Sequence, residues 1–337
     1  MKTFSEWKQS LIFENENLEK KAKLFGSEAE RVTSKELMLI FNELKALLSD
    51  GFSHFIPVKS LESKEDHGDI DILVAPPRDI NLFLKERLGN RLIKFSKNDT
   101  VNSFLYKSNI GKNVHIDLIT SKDEENLKTK ELYYGLNDFS SVVGVLSKKL
   151  NFKYGTEGFF KRFKDKKGNW HDILISTSLL DGLKILGFDT NKYFLIKNND
   201  DIVNFVVSSP LLNSSFFGED ALLARDRVSL SRRPRMNYII DKIKKLNIVA
   251  SIKDENYFFK KLFPKKYDDY LKISKEIDDK TYQINNKYDG NWLMSKFGIK
   301  PGPDVGRLLK LMFNHFKDNL VNANEQDVID FISNNMK

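Results

Sequence analysis

The residues best placed to do chemistry are Asp69 and Asp71, in the run Gly68-Asp69-Ile70-Asp71-Ile72-Leu73-Val74. On a strand, residues two apart share a face, so both carboxylates point one way while Ile70 and Ile72 point into a core. Two acids on one face repel unless a cation lies between them, and Mg²⁺ binds through one or two protein carboxylates together with substrate phosphates. An edge strand with its acids in water has the same tetrapeptide, so the neighbouring segments decide the reading. A third acid, Asp117, sits in another short apolar run, Asn113-Val114-His115-Ile116-Asp117-Leu118-Ile119. Carboxylates from two neighbouring strands suit a pair of ions roughly 3.5–4 Å apart. One ion would lower the pKa of an attacking hydroxyl, and the other would steady a triphosphate and its pyrophosphate leaving group.

These acids need a framework. A helix is expected over Ser34 to Leu48, with Ser34 as N-cap and Leu37, Leu39, Ile40, Leu44, Leu47 and Leu48 at helical spacing. Gly51 ends it, and Phe55-Ile56-Pro57-Val58 reads as the first strand, followed by Lys59-Ser60 and a polar connection from Leu61 to His67. After the two-acid strand, Pro76-Pro77 stops the ladder and Ile80 to Leu88 reads as a helix capped by Asp79. Phe95 to Tyr106 and Val114 to Ile119 read as a hairpin-like pair around Asn109-Ile110-Gly111-Lys112. Further on come a helix from Ser140 to Leu150, a strand from Trp170 to Ile175 and a helix from Thr177 to Gly187. The expectation is a small mixed sheet with helices on one side and the acids lining its open face. Beyond a boundary near Pro210 to Gly218 the pattern is helical and basic. Within an N-terminal extension over residues 1–33, the highly charged Glu6 to Glu30 is expected to make one or two exposed helices.

At Gly68-Asp69-Ile70-Asp71 and Asp117 the chain resembles the DNA polymerase β-like nucleotidyltransferase superfamily, whose pattern is a Gly-Ser turn, Asp-x-Asp on a strand, and a third Asp. Here Lys59-Ser60 stands at the turn. The resemblance covers roughly residues 35 to 120. A second stretch, Gly298-Ile299-Lys300-Pro301-Gly302-Pro303-Asp304-Val305-Gly306-Arg307-Leu308-Leu309, looks like a run in the C-terminal helical body of CCA-adding enzymes and related poly(A) polymerases. Taken by itself, that stretch is a tight loop feeding a helix that starts at Pro303, with Lys300 and Arg307 near N–H groups that attract phosphate.

The resemblance implies an α+β fold: a small mixed-sheet, palm-like nucleotidyltransferase domain over residues 34–215, then a mainly α-helical basic region over 216–337. It also implies Mg²⁺- or Mn²⁺-dependent transfer of a nucleoside monophosphate from a nucleoside triphosphate to a polynucleotide 3′ end, RNA before DNA. Asp69, Asp71 and Asp117 would hold the metals, and Lys59, Ser60 and Gly68 would meet the nucleotide. The alternatives are transfer to a small molecule or protein, and a catalytically silent relative that binds RNA.

Composition limits other classes. The 337 residues include no cysteine, which excludes disulfides and thiolate chemistry and makes a cytoplasmic location the default, in a bacterium or in the host of a virus or phage. No stretch approaches the roughly 20 apolar residues of a membrane span. The net charge of +8 leans toward an anionic partner. Arg225, Arg227, Arg232, Arg233 and Arg235 cluster around Pro234, and Lys161, Arg162, Lys164, Lys166 and Lys167 interleave with Phe160 and Phe163. Each cluster alone is more often a solvated loop or helix face, but together such mixtures of cations and aromatics favour single-stranded nucleic acid as the partner. The five histidines are scattered, with no hydrolase or zinc pattern, and His67 and His115 are expected to face solvent beside the acid strands.

Overall fold

The computed structural model describes residues 24–75, 79–98, 100–166, 168–218, 234–316, 320 and 323–336. Strand β1 (Val32–Thr33) leads into helix α1 (Ser34–Leu48), then β2 (His54–Pro57), β3 (Asp66–His67) and β4 (Ile70–Ala75). Helix α2 (Ile80–Leu88) precedes a meander of β5 (Leu92–Asn98), β6 (Val101–Lys107) and β7 (Asn113–Thr120). Helices α3 (Glu124–Tyr134) and α4 (Phe139–Lys149) follow, then strands β8 (Phe152–Gly155), β9 (Gly158–Lys164) and β10 (Trp170–Ser176). The rest of the described chain is helical: α5 (Leu179–Ile185), α6 (Thr190–Tyr193), α7 (Asn199–Val207), α8 (Pro234–Lys245), α9 (Tyr257–Leu262), α10 (Pro264–Lys287), α11 (Gly290–Phe297), α12 (Pro303–Phe316) and α13 (Glu325–Asn335).

The main sheet has the order β2-β4-β7-β6-β5 and is mixed, since β4 and β7 are parallel and the other pairs antiparallel. Its apolar face carries Ile70, Ile72 and Val74 of β4, Val114, Ile116 and Leu118 of β7, and Phe104 and Tyr106 of β6. Against it pack Ile40, Phe41, Leu44 and Leu48 of α1 and Phe83, Leu84 and Leu88 of α2. Each such fully buried side chain contributes about 1.5–3 kcal/mol relative to exposure. The opposite face is open only in part. Asp71 and Asp117 lie on it, yet so do Leu73, Ile119 and Leu105, all fully buried, and the buried Lys130 of α3 donates to the Thr120 carbonyl at 2.5 Å.

Three local readings are corrected. Helix α1 is capped by Thr33, whose hydroxyl accepts from the Glu36 N–H while Glu36 accepts from the Thr33 N–H; Ser34 is already helical, and its hydroxyl donates to the Lys64 carbonyl. The segment Phe95 to Tyr106 is itself a hairpin, β5 with β6. The connection from Leu61 to His67 ends in β3, which pairs with β1. Asp79 caps α2 as expected, its carboxylate accepting from the Leu82 N–H. The segment before residue 24, the Pro76-Pro77 stop and Arg225, Arg227, Arg232 and Arg233 lie outside the described residues.

The chain divides into two compact units, one comprising Met1–Phe160 and Leu174–Leu262, the other Lys161–Ile173 and Phe263–Lys337. The boundary drawn from sequence at 215/216 falls inside the first unit. The second unit has its own core of Tyr288, Leu293, Leu308, Met312, Leu320, Val328 and Ile332, from α11, α12, α13 and their connections. Pro303 opens α12, and Gly298 ends α11 in the left-handed region at φ 65°. No helix among the described residues is long and apolar enough to cross a membrane.

Candidate metal and nucleotide site

The site is set by strand register. In the parallel pair β4/β7, Asp71 stands opposite Asp117 and Ile70 opposite Ile116, so the aliphatic residues enter the core together and the two acids emerge together. Asp69 lies just before β4 and completes the group. Ligand oxygens of Asp69, Asp71 and Asp117 lie within 4.8 Å of one another.

The electrostatics of the trio are unfavourable without a counter-charge. Burial, then the charges of Asp69 and Asp117, push the Asp71 carboxyl up to about 8. One oxygen of Asp117 is buried with no aligned hydrogen-bond donor. His115 Nε2 stands 2.9 Å from that oxygen, and the His115 ring meets Phe25 edge-on at 4.8 Å. Burial works to lower the His115 imidazole, but the Asp117 contact and the charge of the three acids outweigh it, so its net shift is upward. A divalent cation fits this donor set: all three groups offer hard oxygens, burial and the neighbouring acids disfavour charge on Asp71 in the absence of a counter-ion, and Asp117 has an unsatisfied oxygen.

A segment that carries hydroxyl and cations lies beside the acids. The Val58 N–H donates to the Asp71 carbonyl at 3.0 Å, so the chain leaves β2 alongside the acid strand. Lys59 is exposed and Ser60 half-buried. Both help line a cavity of about 410 Å³ together with Leu37, Met38, Leu61, Lys64 and His67. Lys64 was missed in the sequence because it lies in a stretch that reads as a solvated connection. Burial lowers its pKa while Asp69 and Asp71 raise it, and Arg235 and Arg31 lower it, which sets its ammonium within the field of the acids. Gly68 leaves room for a further cation, since a Cβ there would lie 2.9 Å from Arg31 Nη1. Arg31 is itself paired with Asp66 at 2.5 Å.

The turn after α3 holds this segment from behind. Leu136 and Asn137 are both left-handed, at φ 56° and 59°. A leucine in that region costs about 1–2 kcal/mol, whereas an asparagine tolerates it. The Leu136 N–H donates to the Lys59 carbonyl at 2.9 Å, and the Asn137 Oδ1 accepts from the Leu61 N–H at 3.3 Å, so Ser60 is tied on both flanks. Tyr134, just before the turn, has its hydroxyl pushed up to about 12 by burial, then Tyr133, Asp71 and Asp117. Nothing in the local sequence marks Asn137 except its place in Tyr133-Tyr134-Gly135-Leu136-Asn137.

The structure thus brings together Asp69, Asp71 and Asp117, directly after Gly68, while Lys59 and Ser60 follow Val58, the residue bonded to the Asp71 carbonyl, and line a cavity with Lys64, on which Arg235 of α8 acts. No protein-family model and no curated protein matches this chain. Lys300 and Arg307 belong to the second unit, where both are exposed and Arg307 Nε meets Asp304 at 3.4 Å. Neither histidine beside the acid strands faces solvent. His67 is buried with Nε2 3.0 Å from the Ser34 hydroxyl, and its pKa is lowered by burial and then by Lys64.

Proposed function

We propose that this protein is a divalent-cation-dependent nucleotidyltransferase that moves a nucleoside monophosphate from a nucleoside triphosphate to a polynucleotide 3′ hydroxyl. The observation that carries the reading is the register pairing of Asp71 with Asp117, which gathers three carboxylates at a site where burial and mutual repulsion favour a cation. Asp69 and Asp71 would hold both ions and Asp117 the one beside the attacking hydroxyl. Mg²⁺ or Mn²⁺ bound there would acidify that hydroxyl and offset charge on the triphosphate.

The chain's own residues supply the rest. Ser60 donates to a phosphate oxygen, and Lys59 and Lys64 set cations on the same side as the triphosphate. His115, with Nε2 2.9 Å from the Asp117 carboxylate, sets an imidazole against the outer side of that acid. The cavity beside Ser60 offers an apolar wall from Leu37, Met38 and Leu61 next to those polar groups, the mixture that small anionic ligands with a planar base require. In the reaction the acceptor hydroxyl gives up its proton to water, its oxygen bonds to the α-phosphorus, the α–β phosphoanhydride bond breaks, and pyrophosphate leaves. Isothermal titration with a nucleoside triphosphate, with Mg²⁺ and with a chelator, tests the reading: cation-dependent binding supports it, and equal binding under both conditions overturns it.

A further inference from the structure

The second unit carries an aromatic and cationic surface that the acid site does not use. At the far end of the β9/β10 hairpin, Trp170 is 50% exposed. The Arg162 guanidinium and the Lys164 ammonium each lie 5.1 Å from its ring centroid. Arg162 is held in place by Asp172 at 2.7 Å. The nearby Asp165 is turned inward: it is buried, accepts from the Asn169 N–H at 2.9 Å and stands 2.9 Å from His171 Nε2. The solvent face therefore shows an indole, two cations and one paired acid, while the hairpin's other carboxylate is withdrawn to its inner side.

An indole left half in water forgoes the burial expected of so large an apolar ring. A base stacked on the exposed part of the ring would cover it, and the two cations that already lie over the ring would meet the phosphates on either side of that base. An acidic peptide would satisfy the cations and leave the ring unused.

We propose that Trp170, with Arg162 and Lys164, is a stacking platform for one base of a single-stranded polynucleotide. The inference deepens the polynucleotide reading above and rests on it for the class of acceptor.

The test is fluorescence anisotropy with the full-length protein, without triphosphate or divalent cation. Labelled 16-nucleotide oligo(rU) and oligo(dT) serve as probes, and inorganic polyphosphate as a competitor lacking bases. Trp170→Ala is expected to weaken oligonucleotide binding by roughly 5- to 150-fold and to leave polyphosphate competition unchanged, whereas Trp170→Phe keeps most of the affinity. Arg162→Gln with Lys164→Gln should weaken both ligands and flatten the salt dependence. Wild-type affinity in Trp170→Ala would overturn the platform, as would equal loss toward polyphosphate or no single-strand binding by the wild type. Nucleotide transfer is assayed separately, so these outcomes leave the reading of the acid site standing or falling by itself.

Discussion

Asp71 on β4 and Asp117 on β7 are register partners in a parallel strand pair, so one backbone ladder fixes the spacing of two carboxylates that repel each other. The apolar residues on either side, Ile70 with Ile116 and Ile72 with Leu118, are fully buried and hold that ladder in place. Core packing thus imposes the proximity that electrostatics opposes.

Relief of that repulsion is measurable. Asp71→Asn should leave the fold intact and, without divalent cation at pH 8–9, stabilise it by on the order of 1–3 kcal/mol, because a costly buried carboxylate is removed. Denaturant melts of the two proteins in chelator check this. A clearly less stable variant would contradict it.

The pH dependence has a definite sign. The Asp71 carboxyl is raised from 3.8 to about 8 in the folded protein, so between those values the folded state binds the extra proton. That stabilisation is present at low pH and is lost as pH rises through about 8, with a slope of at most about 1.4 kcal/mol per pH unit. The cation-free protein should melt lower at pH 9 than at pH 6, and Asp71→Asn should flatten the trend. Adding Mg²⁺ at pH 6–7 should release a proton, detectable by calorimetry in buffers of different ionisation enthalpy. Proton uptake would refute the assignment.

Asn137 should act through Ser60. Its side chain accepts from the Leu61 N–H, and its left-handed backbone suits asparagine better than most residues. Asn137→Ala is expected to raise KM for the triphosphate about tenfold with kcat little changed, and Asn137→Asp to recover most of the loss. Steady-state kinetics separate this from general destabilisation, which would lower active enzyme concentration and leave KM alone.

The Thr33 cap fixes the start of α1 beside the cavity. Thr33→Ala should cost about 1 kcal/mol and weaken triphosphate binding only slightly. A loss above about 3 kcal/mol in chemical denaturation would show that the β1/β3 pair depends on Thr33 as well.

The acid trio was legible because it depends on local alternation: Ile70, Ile72, Ile116 and Leu118 declare which side of each strand is core, and the acids must take the other. The helix over Ser34–Leu48 was legible for the same reason. Its cap was displaced by one residue because Thr33 and Ser34 are both competent, and only the reach of Glu36 distinguishes them. Lys64, Arg31 and Asn137 escaped notice because their importance comes from tertiary approach. Lys64 in a polar stretch resembles any solvated lysine until β3 folds that stretch back beside Asp69. The partial cover of the acid face was also hidden, since Leu73 and Ile119 read equally well as residues of an open sheet.

The central claim is tested most directly by incubating the protein with each α-labelled nucleoside triphosphate, Mg²⁺ or Mn²⁺, and single-stranded RNA, tRNA or a DNA primer, beside Asp71→Asn. The account predicts label joined to a polynucleotide 3′ end with pyrophosphate released, and at least about a 1,000-fold loss in the variant, on the order of 4 kcal/mol of transition-state stabilisation. Label transferred equally by the variant, or to no polynucleotide by the wild type, would contradict it.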